Sequence, residues 1–172
     1  SINNFYTKTK LISEKYCKPN KALVLRTNFF GKSYSNKKSL TDWFFHSIKK
    51  NKRISVFNDV YFSPIRMATL CKIILKLIEN NFGERGLYNL GSKNGVSKYK
   101  FFKTFLKYLK IKYKNYESTK VRKILIIKRS KNMIMNSKKF EKKFNIILPN
   151  LENEIKNEVI NNYLKKNKWK FE

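Results

Sequence analysis

Cysteine is almost missing from this chain: Cys17 and Cys71 stand alone, without CxxC spacing and without a histidine nearby. That excludes a disulfide framework and a zinc cluster, and it makes a reducing, cytoplasmic setting the expectation. Histidine occurs once, as His46, on an aromatic-rich stretch with no Ser or Cys nucleophile motif beside it. A packed or surface role is expected there. Glycine (5) and proline (3) are too few for a flexible linker or a low-complexity segment. Long apolar runs are missing too. None approaches the roughly 20 residues of a membrane span, and no basic-then-apolar leader follows Ser1. The expectation is a protein with no membrane partner. Acidic residues number 11 against 40 Lys and Arg, giving a net charge of +29.

Such a charge points first to nucleic acid. The sequence is heavy in Lys, Asn, Ile, Phe and Tyr together, however, which are the residues with AT-rich codons. Selection for phosphate binding would raise Lys and Arg alone. The lysines are also strung along the chain (Lys8, Lys49, Lys76, Lys107, Lys142, Lys165). Drift in composition explains the charge better, and nucleic acid is not the expected partner. With 41% hydrophobic and 15% aromatic residues, 172 residues suffice for one compact domain with a real core.

Periodicity gives the order of elements. Asn4 to Cys17 reads as a helix, with Leu11, Ile12 and Tyr16 at helical spacing. Ala22 to Leu25 is a continuous apolar run, as in a parallel strand buried on both faces. After the polar loop Gly31 to Lys38, Ser39 with Asp42 forms a capping-box pattern, opening a helix that should bury Trp43, Phe44 and Ile48. Ile54 to Phe57 alternates like a strand. Ser63-Pro64 reads as a helix start with Pro at the first position, for a helix carrying Leu70, Ile73, Ile74 and Ile78. Gly86 to Gly91 is the next strand. Ser97 caps a helix with Phe101, Phe102, Phe105, Leu106 and Leu109, an expected core stripe. Val121 to Ile127 is a strand or an extended arm. Ser137 to Phe144 is a short helix, and Asn150 caps a last one with Ile155, Val159, Tyr163 and Leu164 on one face. Strands alternating with helices of about 10–16 residues make an α/β fold with parallel strands. The order opens in mid-pattern, as expected of a segment of a longer protein.

Tyr6 and Lys10 form Tyr-x-x-x-Lys. Residues four apart share a helix face, and an ammonium beside a phenol favours the phenolate. Tyr6 is thereby a candidate general acid, giving a proton to a carbonyl oxygen while hydride reaches the carbon. The bare pattern is weak, since Tyr99 and Lys103 repeat it. Asp59 has no second carboxylate at a useful spacing, so neither a metal site nor an acid/base pair is expected.

The context of Tyr6 is more informative. Asn4-Phe5-Tyr6-Thr7-Lys8-Thr9-Lys10, followed by Glu14, resembles the catalytic helix of extended short-chain dehydrogenases/reductases. Arg26-Thr27-Asn28-Phe29-Phe30-Gly31 is similar to the Arg-Thr-Ser-Trp-x-Tyr-Gly segment of the dTDP-4-dehydrorhamnose reductase group. Asn58 to Pro64 resembles its Asp-Gln-x-Gly-Ser-Pro turn, and Gly86 to Ser92 its Gly-x-Tyr-His-x-x-Gly strand. Arg129-Ser130-Lys131-Asn132, with Asn136 to Phe140, resembles its tail segment, and Leu148-Pro149 precedes the final helix as it does there. Order and spacing agree along nearly the whole chain.

The resemblance implies an α/β fold: the C-terminal part of a Rossmann-like extended short-chain dehydrogenase, with a small, mostly helical substrate-binding subdomain. Residues 1–35 would hold the catalytic helix and the strand after it, and residues 36–172 the remaining strands mixed with the subdomain. It implies NADP or NAD as cofactor and a nucleotide sugar as substrate, with a homodimer among the expected assemblies. Tyr6 would protonate the sugar C4 oxygen, and Lys10 would hold the nicotinamide ribose. Thr27 and Asn28 would line the cofactor site, Asn28 and Phe29 the substrate site, with Phe29 packing on the sugar ring. Arg129 would fork onto the nucleotide diphosphate.

Departures from the pattern are Thr7 for a glycine, Ser130 for a proline, and a segment after the first strand that is one residue short. No Gly-x-x-Gly-x-x-Gly follows any strand, so the dinucleotide pyrophosphate lacks its cradle. The Ser/Thr that partners the tyrosine in the group is also missing. By itself the segment is expected to be inactive. Three other readings stay open: an epimerase or dehydratase of the same superfamily, a non-catalytic regulatory subunit with this fold, and a basic nucleic-acid-binding protein.

Overall fold

The computed structural model describes residues 5–80, 83–121 and 130–164. Among the described residues there are nine strands and six α-helices, and three of the four strand groupings are parallel pairs. Helix α1 (Phe5–Tyr16) turns back through Cys17 to Ala22 into β1 (Leu23–Thr27). The turn is closed by the Lys18 carbonyl, which accepts from the Lys21 and Ala22 amides at 2.7 and 3.1 Å. β1 lies parallel to β6 (Gly86–Leu90), with Thr27 opposite Leu90. β2 (Phe29–Phe30) pairs in parallel with β5 (Ile65–Arg66), and β3 (Ile54–Phe57) with β8 (Tyr116–Thr119). β4 (Tyr61–Phe62) lies between antiparallel β7 (Val96–Ser97) and parallel β9 (Asn132–Met133).

Two apolar clusters hold these layers. In the first, α2 (Leu40–Lys49), α4 (Lys98–Leu109) and α6 (Leu151–Val159) close over β3, with Phe44, Phe101, Phe102 and Phe105 at its centre. The expected stripe on α4 is fully buried. Phe44 and Phe102 meet with ring centroids 4.7 Å apart, within the range where aromatic pairs add attraction beyond their buried area. In the second, α3 (Met67–Asn80) and α5 (Lys138–Phe144) pack Leu70, Ile73, Leu77, Phe140 and Phe144 onto Tyr88 and Leu90 of β6.

Local chemistry sets several helix starts as expected. Ser39 Oγ accepts from the Asp42 amide at 3.1 Å, and Asp42 Oδ2 accepts from the Ser39 amide at 3.1 Å, the reciprocal box read from the sequence. Ser97 Oγ accepts from the Lys100 amide at 3.1 Å. Other expectations are corrected. Ser63-Pro64 does not open α3: Ser63 Oγ accepts from the Met135 amide at 2.9 Å, the chain runs on as β5, and the helix begins at Met67. Trp43 is 39% exposed, because the buried face of α2 is Thr41, Phe44, Ser47 and Ile48. Ile74 and Ile78 point outward, and Leu77 takes the buried position. β1 is half-buried rather than covered on both faces. Asn150 makes no capping bond; its Oδ1 accepts from Asn94 Nδ2 at 3.1 Å instead. The last helix widens into a π-turn at Ile160–Leu164, where Leu164 is exposed. Most of the stretch Val121 to Ile127 lies outside the described residues. β8 and the two-residue strands carry no periodicity that the sequence reading registers.

Candidate functional site

Tyr6 and Lys10 are the second and sixth residues of α1. Their side chains share one face, with Lys10 Nζ 5.7 Å from the Tyr6 ring centroid. Tyr6 is 69% exposed, and α1 buries no residue. The hydroxyl of Thr9 is occupied by the Tyr6 carbonyl at 2.9 Å, so it is not a free partner for the phenol.

What fastens α1 to β1 is a fork. Arg26 Nε and Nη2 donate to the two oxygens of Glu14 at 2.7 and 2.6 Å. The Arg26 hydrogen bond, outweighing burial, holds the Glu14 carboxyl below its usual range, and the same bond raises Arg26. Both residues belong to the motifs quoted above; their pairing is not visible in the sequence, since nothing local links positions 12 apart on different elements.

Thr27 ends β1, and Asn28 and Phe29 follow it. Asn28 Nδ2 donates to the Met133 carbonyl at 3.3 Å, and its backbone carbonyl accepts from the Ile65 amide at 3.0 Å. Asn28 Oδ1 is buried without a hydrogen-bond partner. Thr27 Oγ1 makes only a long 3.4 Å contact to the Asn28 carbonyl. Phe29 is 55% exposed. Arg129 lies outside the described residues.

The motif segments, far apart in sequence, interlock around this corner. The Ser63 carbonyl accepts from the Ser92 amide at 3.0 Å, and Ser92 Oγ donates to the Pro64 carbonyl at 2.8 Å. The Gly91 amide donates to Ser137 Oγ at 3.1 Å. A Cβ at Gly91 would stand 2.6 Å from the Ser63 carbonyl oxygen, so the approach of the two backbones requires glycine. Asp59 accepts from the Val121 amide at 2.9 Å and pairs with Lys131 at 2.7 Å; the Lys131 contact and then the amide hold its carboxyl below the usual range. Asp59 is thus a tie between segments. Among the described residues no group of His, Cys, Asp and Glu is placed to hold a metal, and no helix is long and apolar enough to cross a membrane.

Two glutamates on α6 went unforeseen. Glu154 and Glu158 are 3% and 2% exposed. Glu154 accepts from the Arg66 amide at 2.8 Å and Thr69 Oγ1 at 3.0 Å, and Glu158 accepts from the Lys32 amide at 2.7 Å. They clamp the end of β2, and with it the Phe29 segment, and the end of β5. Their position one residue before Ile155 and Val159, beside the apolar stripe, is the one signal the sequence offers.

The family described as RmlD substrate binding domain matches residues 3–164. Among solved structures, dTDP-4-dehydrorhamnose reductase from Bacillus anthracis, in complex with NADP, superposes with a TM-score of 0.81 at 24% identity, covering 92% of this chain and 56% of that one. The corresponding reductase from Clostridium acetobutylicum gives 0.79 at 20% identity, covering 92% and 55%. The dTDP-glucose 4,6-dehydratase of Bacillus anthracis, in complex with NAD, gives 0.69 at 15% identity, covering 92% and 51%. These likenesses establish the Rossmann-like extended short-chain dehydrogenase fold. The chain spans little more than half the length of the reductases it matches. No curated protein sequence matches it.

Proposed function

Since the chain belongs to the RmlD substrate binding domain family, we propose that it supplies the proton donor and the sugar-binding part of an NAD(P)-dependent reductase of a 4-keto nucleotide sugar, such as dTDP-4-dehydrorhamnose. The observation that supports this reading is that Tyr6 and Lys10 stand side by side on an open face of α1, the helix that precedes β1 of a parallel strand pair. In open α/β sheets, ligands settle beyond the carboxyl ends of the strands.

The nicotinamide, when bound, supplies the hydride. Tyr6 gives its hydroxyl proton to the oxygen on the sugar C4 as that oxygen gains negative charge. Lys10 steadies the phenolate left behind and donates to the ribose hydroxyls. Asn28 Oδ1, lacking a partner, is an acceptor for a donor on cofactor or sugar, and half-exposed Phe29 offers its face to the sugar ring. These residues fit the nicotinamide-ribose end of a dinucleotide. Nothing in the sequence fits the pyrophosphate end, which needs a glycine-rich turn at a helix N-terminus.

An epimerase or dehydratase of the same superfamily would use the same pair. The segments from Arg26 to Gly31 and at Ser63-Pro64 favour the reductase. The test follows nicotinamide absorbance with a 4-keto sugar nucleotide, using protein expressed from the complete reading frame. Tyr6→Phe is expected to lower kcat by about 10²–10⁴-fold, the range for a lost general acid. Equal rates for the two proteins would remove Tyr6 from the chemistry.

A further inference from the structure

The lysines strung along the sequence are not spread evenly in space. α2 and α4 end at the same pole, beside the N-terminal ends of β3 and β8. Asn115 Nδ2 donates to the Asn51 carbonyl at 2.7 Å, and the Tyr113 hydroxyl donates to the Lys52 carbonyl, so the two helix ends are tied together. A groove of about 460 Å³ opens there over an apolar floor of Leu106 and Ile111. Lys103, Lys107, Lys110, Lys112 and Lys114 rim it, and no acidic side chain lines it. A second hollow of about 430 Å³, sharing Lys112 and Lys114, extends it toward Asn51.

Lys107 is neutralised by Glu152 at 2.8 Å. Lys103, Lys110, Lys112 and Lys114 have no ion-pair partner among the described residues and are exposed. Lys49, Lys50 and Lys52 stand exposed at the neighbouring end of α2. The positive field there is felt by His46, held below its usual range by burial and then by Lys38, Lys50 and Lys52. A helix C-terminus carries about half a negative charge, which one lysine offsets; Lys110, Lys112 and Lys114, just past the end of α4, exceed that need.

We propose that this lysine-rimmed groove is a docking site for single-stranded nucleic acid, held by its phosphates and without sequence preference. Three features select that occupant. The rim is lysine throughout, and its clustered point charges suit a run of phosphates whose counterions they release. The nearby arginine, Arg53, is already paired with Glu117 at 2.7 Å. An apolar floor beneath a cationic rim accepts bases whose faces are exposed, which a duplex hides. Finally, the two hollows share lining residues and are open to solvent rather than enclosed like a small-molecule cavity.

The experiment is anisotropy of a labelled oligo-dT of about 15 nucleotides, titrated with the 172-residue chain over a salt series. One variant replaces Lys103, Lys110, Lys112 and Lys114 with Gln. A control with the same net charge replaces Lys72, Lys76, Lys138 and Lys142, exposed lysines on α3 and α5, with Gln. Circular dichroism melts check that both fold. The groove variant is expected to lose about tenfold or more in affinity, with the salt slope falling by about 3, or 0.7 for each of four phosphate contacts. The control should stay within about threefold of the parent chain. Equal losses in both variants would reduce the effect to bulk charge, and absence of binding at about 50 mM salt would end the proposal. So would poly-glutamate binding the groove as tightly as the oligonucleotide, which would assign it to an acidic polypeptide.

Discussion

Replacing Asp42 with Ala tests how the segment after Phe29 is held. Asp42 Oδ2 accepts from the Ser33 amide at 2.8 Å, the Ser39 amide at 3.1 Å and Ser39 Oγ at 2.8 Å, while Oδ1 accepts from the Tyr163 hydroxyl at 2.8 Å. One carboxylate thus closes the loop after Gly31, completes the box of α2 and anchors the π-turn at the end of α6. Loss of the reciprocal cap costs about 1 kcal/mol. Stranding the partly buried Tyr163 hydroxyl and the Ser33 amide costs roughly 1–2 kcal/mol more. The sum is about 2–3 kcal/mol. For a chain of this size, at about 2–4 °C per kcal/mol, Tm should fall by about 4–12 °C.

pH adds a second signature. Burial raises the Asp42 carboxyl, but the bonds from Ser33, Ser39 and Tyr163 outweigh it and leave it below the usual range. Its folded value is depressed, so its stabilisation is present above the ordinary carboxylate value of about 3.9 and lost as pH falls through the lowered one. Urea melts of both proteins at neutral pH and below about pH 4 give the difference directly. It should be full at neutral pH and shrink in acid. A loss under 1 kcal/mol at neutral pH, or one independent of pH, would refute the account.

Glu14→Gln should loosen α1 by at most about 1 kcal/mol, since the fork is partly exposed; parent and variant should converge in acid, as a depressed carboxylate requires, and helix-end hydrogen exchange measures it. Gly91→Ala should cost about 1–3 kcal/mol in a urea melt, because the new Cβ meets the Ser63 carbonyl rather than a flexible side chain. Phe102→Ala, at a fully buried ring in the first cluster, should cost about 3–5 kcal/mol, and a loss below about 2 would show that the cluster collapses around the gap.

How much of this is legible in the sequence depends on how local its cause is. The box at Ser39 and Asp42 and the stripe on α4 are written in residues three and four apart, and the structure reproduces both. Ser63 looks like a cap but serves Met135, 72 positions downstream, and no local pattern announces that claim. Glu154 and Glu158 read as solvated charges on a helix, because the backbone donors that draw them inward are Arg66 on β5 and Lys32 just past β2. Tyr6 and Lys10 share a face as their spacing dictates, while the fork that seats their helix joins two residues the spacing does not relate.

A helix of 12 residues that buries no side chain has little of its own to keep it wound, since isolated helices of that length are marginal in water. Opening α1 therefore costs a small fraction of what opening β6 costs, and its amide protons should exchange with solvent long before those of Tyr88 or Leu90. A ligand that bridges Tyr6 and Lys10 must wind the turn it grips, so part of its affinity goes into that ordering. Any surface laid against α1 beforehand would return that part as tighter binding.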